Sequence, residues 1–437
     1  MISAPSRLQL LSGNSLWIVC CYLLFSGCSA SRKLPQHPGP GTQTHPKEQP
    51  KADDKEPSGA PSAINYKKDE YTIALLLPFE SNKVYIADLT EESSYYFPQE
   101  SQLAVEYYQG ALLALDSLQK MGLKSKILVY DVGMDTSALR NVLRKPEMKN
   151  ADLLIGPVSN SSLKIASQFS LKNKVTLVSP FSATAFCNFS NPYYVFANAT
   201  MRSHCEKICD FIRGNFKTNK MFLLYRNKEP DRELAKYIKD YEASKKNNGM
   251  QPLQFIELTD STEGKYYNIK DMISSDEKNV IIVASNDEPF AKAVIKQLSK
   301  LPETSLLEVF GMPTWVNFDI DSEQLAAINT HITQNYWVNK ISRPVETFKN
   351  SYLKKYNVYP TEFAVRGFDQ MMYFGASLYK NGKNFEETFQ NKEKTELAER
   401  FKIQPVPKSN DKQVWFYENK SLYILEYEFG KLVKVSD

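Results

Sequence analysis

Thr72-Ile73-Ala74-Leu75-Leu76-Leu77 is an unbroken apolar run that stops at Pro78. Its length suits a strand rather than a helix. A strand apolar at every position is buried on both faces, as in a parallel sheet. Downstream, Leu103, Tyr107, Ala111, Leu112, Leu115 and Leu118 recur at three- and four-residue spacing, with Gly122 just beyond them. That spacing predicts an amphipathic helix closed by a glycine. Further strands are expected at Lys126–Tyr130, Asp152–Ile155, Val175–Val178 and Tyr193–Phe196. Helices are expected between them, over 137–149, where Pro146 should interrupt, and over 161–171. Strands alternating with helices across short links imply a doubly wound parallel sheet.

After a helix near 203–215 the rhythm restarts. Met221–Tyr225, Phe255–Leu258, Val280–Val283 and Leu307–Phe310 read as strands, with helices at 233–243 and 290–298 and a helical piece at 269–273. His331–Trp337 reads as a strand leading back to the first unit, followed by helices over 344–356 and 362–379. Gln413–Tyr417 and Leu422–Tyr427 flank the polar Glu418-Asn419-Lys420-Ser421 and read as a hairpin. The expected fold class is therefore α/β, with two doubly wound lobes around a cleft. The first lobe spans 69–200 with 340–385, and the second spans 201–339 with 386–437.

The N-terminus reads differently. Arg7 precedes a short apolar stretch, Leu16–Phe25, and then Ser26-Gly27-Cys28. The stretch is far shorter than the ~20 residues that span a bilayer, so a removable signal over 1–27 is the better reading. Phe25-Ser26-Gly27-Cys28 is similar to a lipobox, in which the cysteine is acylated. An uncleaved anchor or an ordinary secretory signal are the alternatives. Residues 28–68 are rich in Pro, Lys, Gln and Ser and almost lack large apolar side chains. Such a segment buries too little surface to offset ordering entropy and behaves as a disordered tether. The expected location is the cell envelope, on a membrane through lipid.

The 437 residues are 42% hydrophobic and 24% charged, with a formal net charge of +4. That balance lacks the basic stripe of a nucleic-acid binder, and no nucleic-acid partner is expected. Of six cysteines, Cys187, Cys205 and Cys209 fall in the folded part. In an oxidising compartment Cys187 is expected to pair with Cys205 or Cys209, because the latter two lie one helical turn apart and would strain if bridged. A site combining His204 with these thiols is the metal alternative, but no paired C-x-x-C spacing supports it. No metal or cofactor is expected. Only His204 and His331 of the four histidines lie outside the tether, and the chain carries no nucleophile elbow, zinc-protease motif or phosphate loop. An enzyme is not expected.

The order of these elements resembles the type I periplasmic-binding-protein fold. The resemblance is carried by Ile73–Phe79, Tyr107–Ala111, Asp152–Ser159, Val178–Thr184 and Ala364–Asp369. The family includes amino-acid-type solute-binding proteins, receptor ectodomains, and lipoproteins that activate cell-wall synthases. The resemblance implies ligand contacts at the loops after the third and fourth strands, hence Ser159 with Ser182, Ala183 and Thr184. Phe79 is expected to line the cleft as well, with Tyr225 and Asp287 at strand ends of the second lobe. Hydroxyls and N–H groups at a helix N-terminus suit an anionic group; the alternative is that Ser159 or Asn160 merely caps the following helix. Two departures stand out: 226–230 lacks the glycine loop usual in amino-acid binders, and Glu80–Pro98 is a long polar insertion. The implied partners are a small polar ligand and a membrane permease, or alternatively a cell-wall synthase, with the protein serving uptake, sensing or regulation of peptidoglycan synthesis.

Overall fold

The computed structural model describes residues 67–437, apart from 84, 88–93, 97, 183–188, 247–248, 259–268, 303, 390–391, 409–412 and 437. The expected signal, Cys28 and the tether up to residue 66 lie outside these residues, as do Ala183, Thr184 and Cys187. No helix among the described residues is long and apolar enough to cross a membrane.

The chain begins with β1 (Tyr71–Leu77), β2 (Tyr85–Ala87), β3 (Ser94–Tyr96), α1 (Gln99–Lys120), β4 (Ser125–Asp131) and α2 (Thr136–Leu143). It continues through β5 (Leu153–Ile155), α3 (Asn160–Asn173), β6 (Thr176–Ser179) and β7 (Tyr194–Phe196). Next come α4 (Met201–Asn215), β8 (Lys220–Arg226), α5 (Asp231–Ser244), β9 (Leu253–Leu258), β10 (Asn279–Val283) and α6 (Glu288–Leu298). β11 (Leu307–Phe310), α7 (Ser322–Ala327) and β12 (Thr330–Gln334) complete that stretch. The remainder holds α8 (Arg343–Tyr356), α9 (Glu362–Asn381), β13 (Lys394–Thr395), β14 (Arg400–Phe401), β15 (Ile403–Pro407) and β16 (Val414–Asn419). β17 (Tyr423–Glu428) and β18 (Lys431–Ser436) end the fold.

Two seven-stranded sheets organise these elements, in the orders β15-β16-β7-β6-β5-β1-β4 and β18-β17-β12-β11-β10-β8-β9. In each, five successive parallel strands follow the doubly wound order 2-1-3-4-5. β1 shows why its run had to be apolar throughout. Ile73, Leu75 and Leu77 feed one core and Ala74 and Leu76 the other, on opposite faces of the sheet. On one face α1 crosses α9 so closely that a methyl on Gly110 would sit 1.9 Å from the Ala364 carbonyl oxygen, and one on Gly367 would sit 2.1 Å from that of Tyr107. Only glycine permits that approach, which accounts for both residues lying within the stretches that carried the family resemblance.

Some expectations change. The helix over 137–149 ends at Leu143, and Pro146 opens a separate 3₁₀ turn, because proline cannot donate to the preceding turn. The strand from His331 stops at Gln334. The C-terminal hairpin does not form between the expected segments. β16 pairs with β15 and β7 in the first sheet, whereas β17 pairs with β12 and β18 in the second. Residues 403–419 thus belong with the first lobe, against the expected assignment of 386–437 to the second. The physical reason is burial: Phe416 and Tyr417 join first-lobe cores, while Tyr423 and Leu425 join the second-lobe core. The real hairpin is β17–β18, turning at Phe429 and Gly430, both with positive φ.

The chain passes between lobes after β7, after β12 and after β16. Each passage leaves the carboxyl end of a strand, and the last needs only residues 420–422 before β17 begins beside the carboxyl end of β12. Both sheets therefore turn their carboxyl edges toward the shared junction. In open α/β sheets that edge is where ligands bind.

Candidate functional site

In the first lobe the strand order reverses at β1, between β4 and β5. Asp131, at the end of β4, organises the loop after β1: it accepts the backbone N–H of Ser81 at 2.8 Å and the Ser81 hydroxyl at 2.7 Å, and also the N–H groups of Glu80 and Gly133. Partial burial raises its pKa, but these hydrogen bonds outweigh it and hold the carboxyl below its ordinary range. Phe79 is half-buried in the same loop and packs edge-on against Tyr108 at 5.9 Å.

Ser159 sits after β5 and is the N-cap of α3. The Ser162 N–H donates to its hydroxyl at 3.4 Å. The loop after β6 comes alongside, where the Ser182 hydroxyl donates to Asn160 Oδ1 at 2.6 Å. The two loops expected to act together are thus joined by a hydrogen bond, through an asparagine expected only as a possible helix cap and not as a ligand contact. This half of the cleft is hydroxyl- and amide-rich beside a helix N-terminus, a setting that accepts an anionic or polar group.

The second lobe repeats the arrangement at β8, between β9 and β10. Its organising residue is Arg226, also missed in the sequence. Arg226 donates from Nε to Asp231 Oδ2 at 2.7 Å, approaches Asp287 Oδ1 at 3.2 Å, and lies over the Phe290 ring at 4.9 Å. Burial works against its charge, but the hydrogen bonds and attraction of Asp231 and Asp287 prevail and raise its pKa. Ser285 completes the chain, donating to Asp231 Oδ1 at 3.0 Å and accepting the Asp287 N–H at 3.1 Å. Asp287 caps α6 through the Phe290 N–H and keeps 38% of its side chain exposed. Tyr225 lies one residue before the end of β8, and its hydroxyl reaches sideways to Glu257 Oε2 at 3.5 Å on the facing strand β9. The signal for Arg226 and Asp231 was available as a strand-end arginine followed five residues later by a helix-start acid.

The junction itself is polar and buried. Arg366 of α9 donates to Glu399 Oε1 at 2.8 Å, to the Pro180 carbonyl at 3.2 Å and to Asn198 Oδ1 at 2.5 Å. Gln370 donates to the same Pro180 carbonyl at 2.9 Å and accepts the Tyr107 hydroxyl. His204 is buried, with Nδ1 2.7 Å from the Thr333 hydroxyl, and burial drives its pKa down to about 3. It is neutral at any ordinary pH. Cys205 and Cys209 are buried free thiols of α4 whose burial pushes their pKa values up, that of Cys205 to about 12.

A family model described as periplasmic binding protein matches residues 95–392. Among solved structures, a protein assigned as a branched-chain amino acid ABC transporter from Rhodospirillum rubrum aligns at 14% identity with a TM-score of 0.59, over 84% of this chain and 99% of that one. An ABC transporter substrate-binding protein from Desulfitobacterium hafniense, in complex with Leu, aligns at 11% identity and a TM-score of 0.52, over 84% and 100%. A solute-binding protein of an ABC transporter from Rhodopseudomonas palustris BisB5, in complex with 3,4-dihydroxybenzoic acid, aligns at 15% and 0.50, over 84% and 97%. At these identities the likeness is one of fold. No curated protein matches the chain.

Proposed function

The chain belongs to the periplasmic binding protein family, and from that premise we propose that it is a non-enzymatic binding protein whose lobes close on a small polar ligand. The observation that carries this reading is the duplicate: each sheet has its order-reversal point at the carboxyl edge, and both edges turn toward one junction. Ser159, Asn160 and Ser182 supply polar and helix-terminal groups from one side, and Asp287 beside Arg226 supplies a half-exposed carboxylate from the other. Phe79 offers an apolar wall, with Tyr225 toward the edge, and Ala183 and Thr184 belong to the loop that would meet the ligand's anionic end. An amino acid or another small carboxylate suits that polarity. Delivery to a membrane permease, or sensing, is the associated role. Acylation at Cys28 would hold the protein at the envelope membrane through residues 28–68.

A screen of melting temperature against amino acids, small peptides and aromatic acids tests the reading. A ligand at a hundredfold excess over its dissociation constant adds roughly 2.7 kcal/mol of stability. Ser182→Ala together with Asp287→Asn should weaken that ligand's binding by about 1–3 kcal/mol. Replacing Cys28 with Ser should release the protein from membranes under carbonate extraction, and retention would contradict the lipid anchor.

One observation favours a second reading, an envelope scaffold such as a regulator of peptidoglycan synthesis. Ser159 and Asp287 are already engaged as helix caps, and the insertion after β1 forms its own two-stranded sheet, β2–β3. On that reading, trimming 84–97 abolishes capture of a partner while the ligand screen gives no shift.

A further inference from the structure

The amino edge of the first sheet, the end of that lobe farthest from the junction, carries a segregated positive charge. β1, β4, β5 and β6 all start there and run in parallel toward the junction. α1, α3 and α9 end there: Glu386, just beyond α9, accepts the hydroxyl of Thr176 at the first position of β6. Lys120, Lys124, Lys149, Lys172, Lys174 and Lys380 are exposed at these starts and ends. None of the six has an ion-pair partner among the described residues. Lys67, Lys126 and Lys383 add to the charge, and Asp69, Glu70, Glu147 and Glu387 oppose it. Asp152 is neutralised by Lys68 at 2.6 Å.

Nine lysines thus meet four acids, and even with the buried Glu386 ionised four positive charges remain in excess. Lys120, Lys172 and Lys380 suit the negative ends of their own helices. Three such ends, at about half a charge each, still leave a surplus. Residues 67–437 hold 48 basic and 46 acidic side chains. The surplus is therefore a property of this pole, not of a basic protein. Met121, 48% exposed, stands among the lysines, where water alone gives it no partner. The chain from residues 28–66 also enters the fold here, at Lys67 and Lys68. We propose that this pole rests on an anionic bilayer, with its lysines on lipid phosphates and Met121 in the headgroup layer. That posture rests on the envelope-membrane reading of residues 1–66. The strands then run away from the membrane, which holds the cleft and the second lobe above it. A lysine near an anionic bilayer contributes about fivefold to binding, within roughly a Debye length of 10 Å.

The test is co-sedimentation of the mature chain, residues 28–437 with Cys28→Ser, so that no acyl chain contributes. The vesicles are phosphatidylcholine alone or phosphatidylcholine with phosphatidylglycerol. Binding should be at least tenfold tighter to the phosphatidylglycerol vesicles and should weaken steeply as salt is raised. Lys67→Glu, Lys124→Glu and Lys149→Glu together should weaken it at least tenfold with no change in melting temperature, and arginine at the same three positions should retain it. Lys217→Glu, Lys246→Glu and Lys300→Glu make the same change of net charge at exposed positions on the amino edge of the second sheet. That variant should bind as the parent does. No preference for phosphatidylglycerol, equal loss in the two glutamate variants, or displacement by millimolar inorganic phosphate at constant ionic strength would each overturn the proposal. Because the anchor is removed, these outcomes stand apart from carbonate extraction, which tests the lipid itself.

Discussion

Glu386 is 1% exposed and follows α9 in a 3₁₀ turn beneath the first sheet, where its Oε2 accepts the Thr176 hydroxyl at 2.7 Å. Its Oε1 is buried with no hydrogen-bond partner. Burial lifts its pKa to about 7, opposed by the Thr176 bond and reinforced by Glu387. The folded protein then holds a proton that the unfolded chain gives up nearer the ordinary glutamate value. Stability therefore falls as pH rises from about 4.5 to about 7 and levels off above, by on the order of 3 kcal/mol. Glu386→Gln should raise the melting temperature at pH 8 and lose that advantage by pH 5. An equal gain at both pH values would remove the titration from the account. The thiols offer a second residue-scale expectation. Cys205 and Cys209 are both buried and of raised pKa, so in reduced protein thiol reagents should label them only on unfolding. Pairing of Cys187 with one of them is our proposal for envelope-purified protein. Mass spectrometry of non-reduced peptides decides it, since three free thiols would exclude the pairing.

At the scale of elements, the β17–β18 turn is built with the wrong residue. Phe429 has φ +46° and is 97% exposed, followed by Gly430 at φ +73°. Two central residues at positive φ make a type I′ turn, where Asn-Gly is preferred and a side chain such as phenylalanine is strained. Phe429→Asn should stabilise the protein by about 0.5–1 kcal/mol in urea titrations, and a loss of stability would show that Phe429 has a partner. The same hairpin shows where sequence periodicity stops being informative. Ile73–Leu77 and Val280–Val283 were legible because strands buried on both faces are apolar at every position. Val414–Asn419 and Tyr423–Glu428 were legible as strands but not as partners. Alternation sets a strand's faces and says nothing about which of two sheets it enters. The site divided similarly. Ser159 and Asp287 could be located from strand ends, but their engagement as caps depends on the N–H groups of the following turns. Arg226 was overlooked because its spacing to Asp231 was not read as a pair, and its contact with the distant Asp287 exists only in the fold.

For the whole molecule, the passages between the lobes are bound to one another, and Arg366 is where they meet. Asn198 belongs to the first passage, and Glu399 bridges to Tyr336 of the second. Asn419, at the start of the third, donates to the carbonyls of Ala197 and Arg400 at 3.0 and 2.7 Å. Glu418 accepts the Thr200 N–H and the Ser203 hydroxyl, both at 2.6 Å, tying the same passages together. Arg366 and Glu399 are 2% and 1% exposed, and Glu399 Oε2 has no hydrogen-bond partner. Burial raises the Glu399 pKa, and Arg366 is the chief opposing influence. Removing Arg366 leaves that acid buried and uncompensated. Arg366→Met should therefore cost about 3–5 kcal/mol in urea unfolding, whereas Arg366→Met with Glu399→Gln should recover much of the loss, since replacing both partners of a buried pair is far less costly than breaking it. Because the pair joins passages rather than one lobe's core, the single variant should also uncouple the lobes. Fluorescence and circular dichroism should then give separate unfolding transitions where the parent gives one. A fully additive double variant with coincident transitions would mean that the pair merely fills space, and that the lobes are held together by β16 and β17 alone.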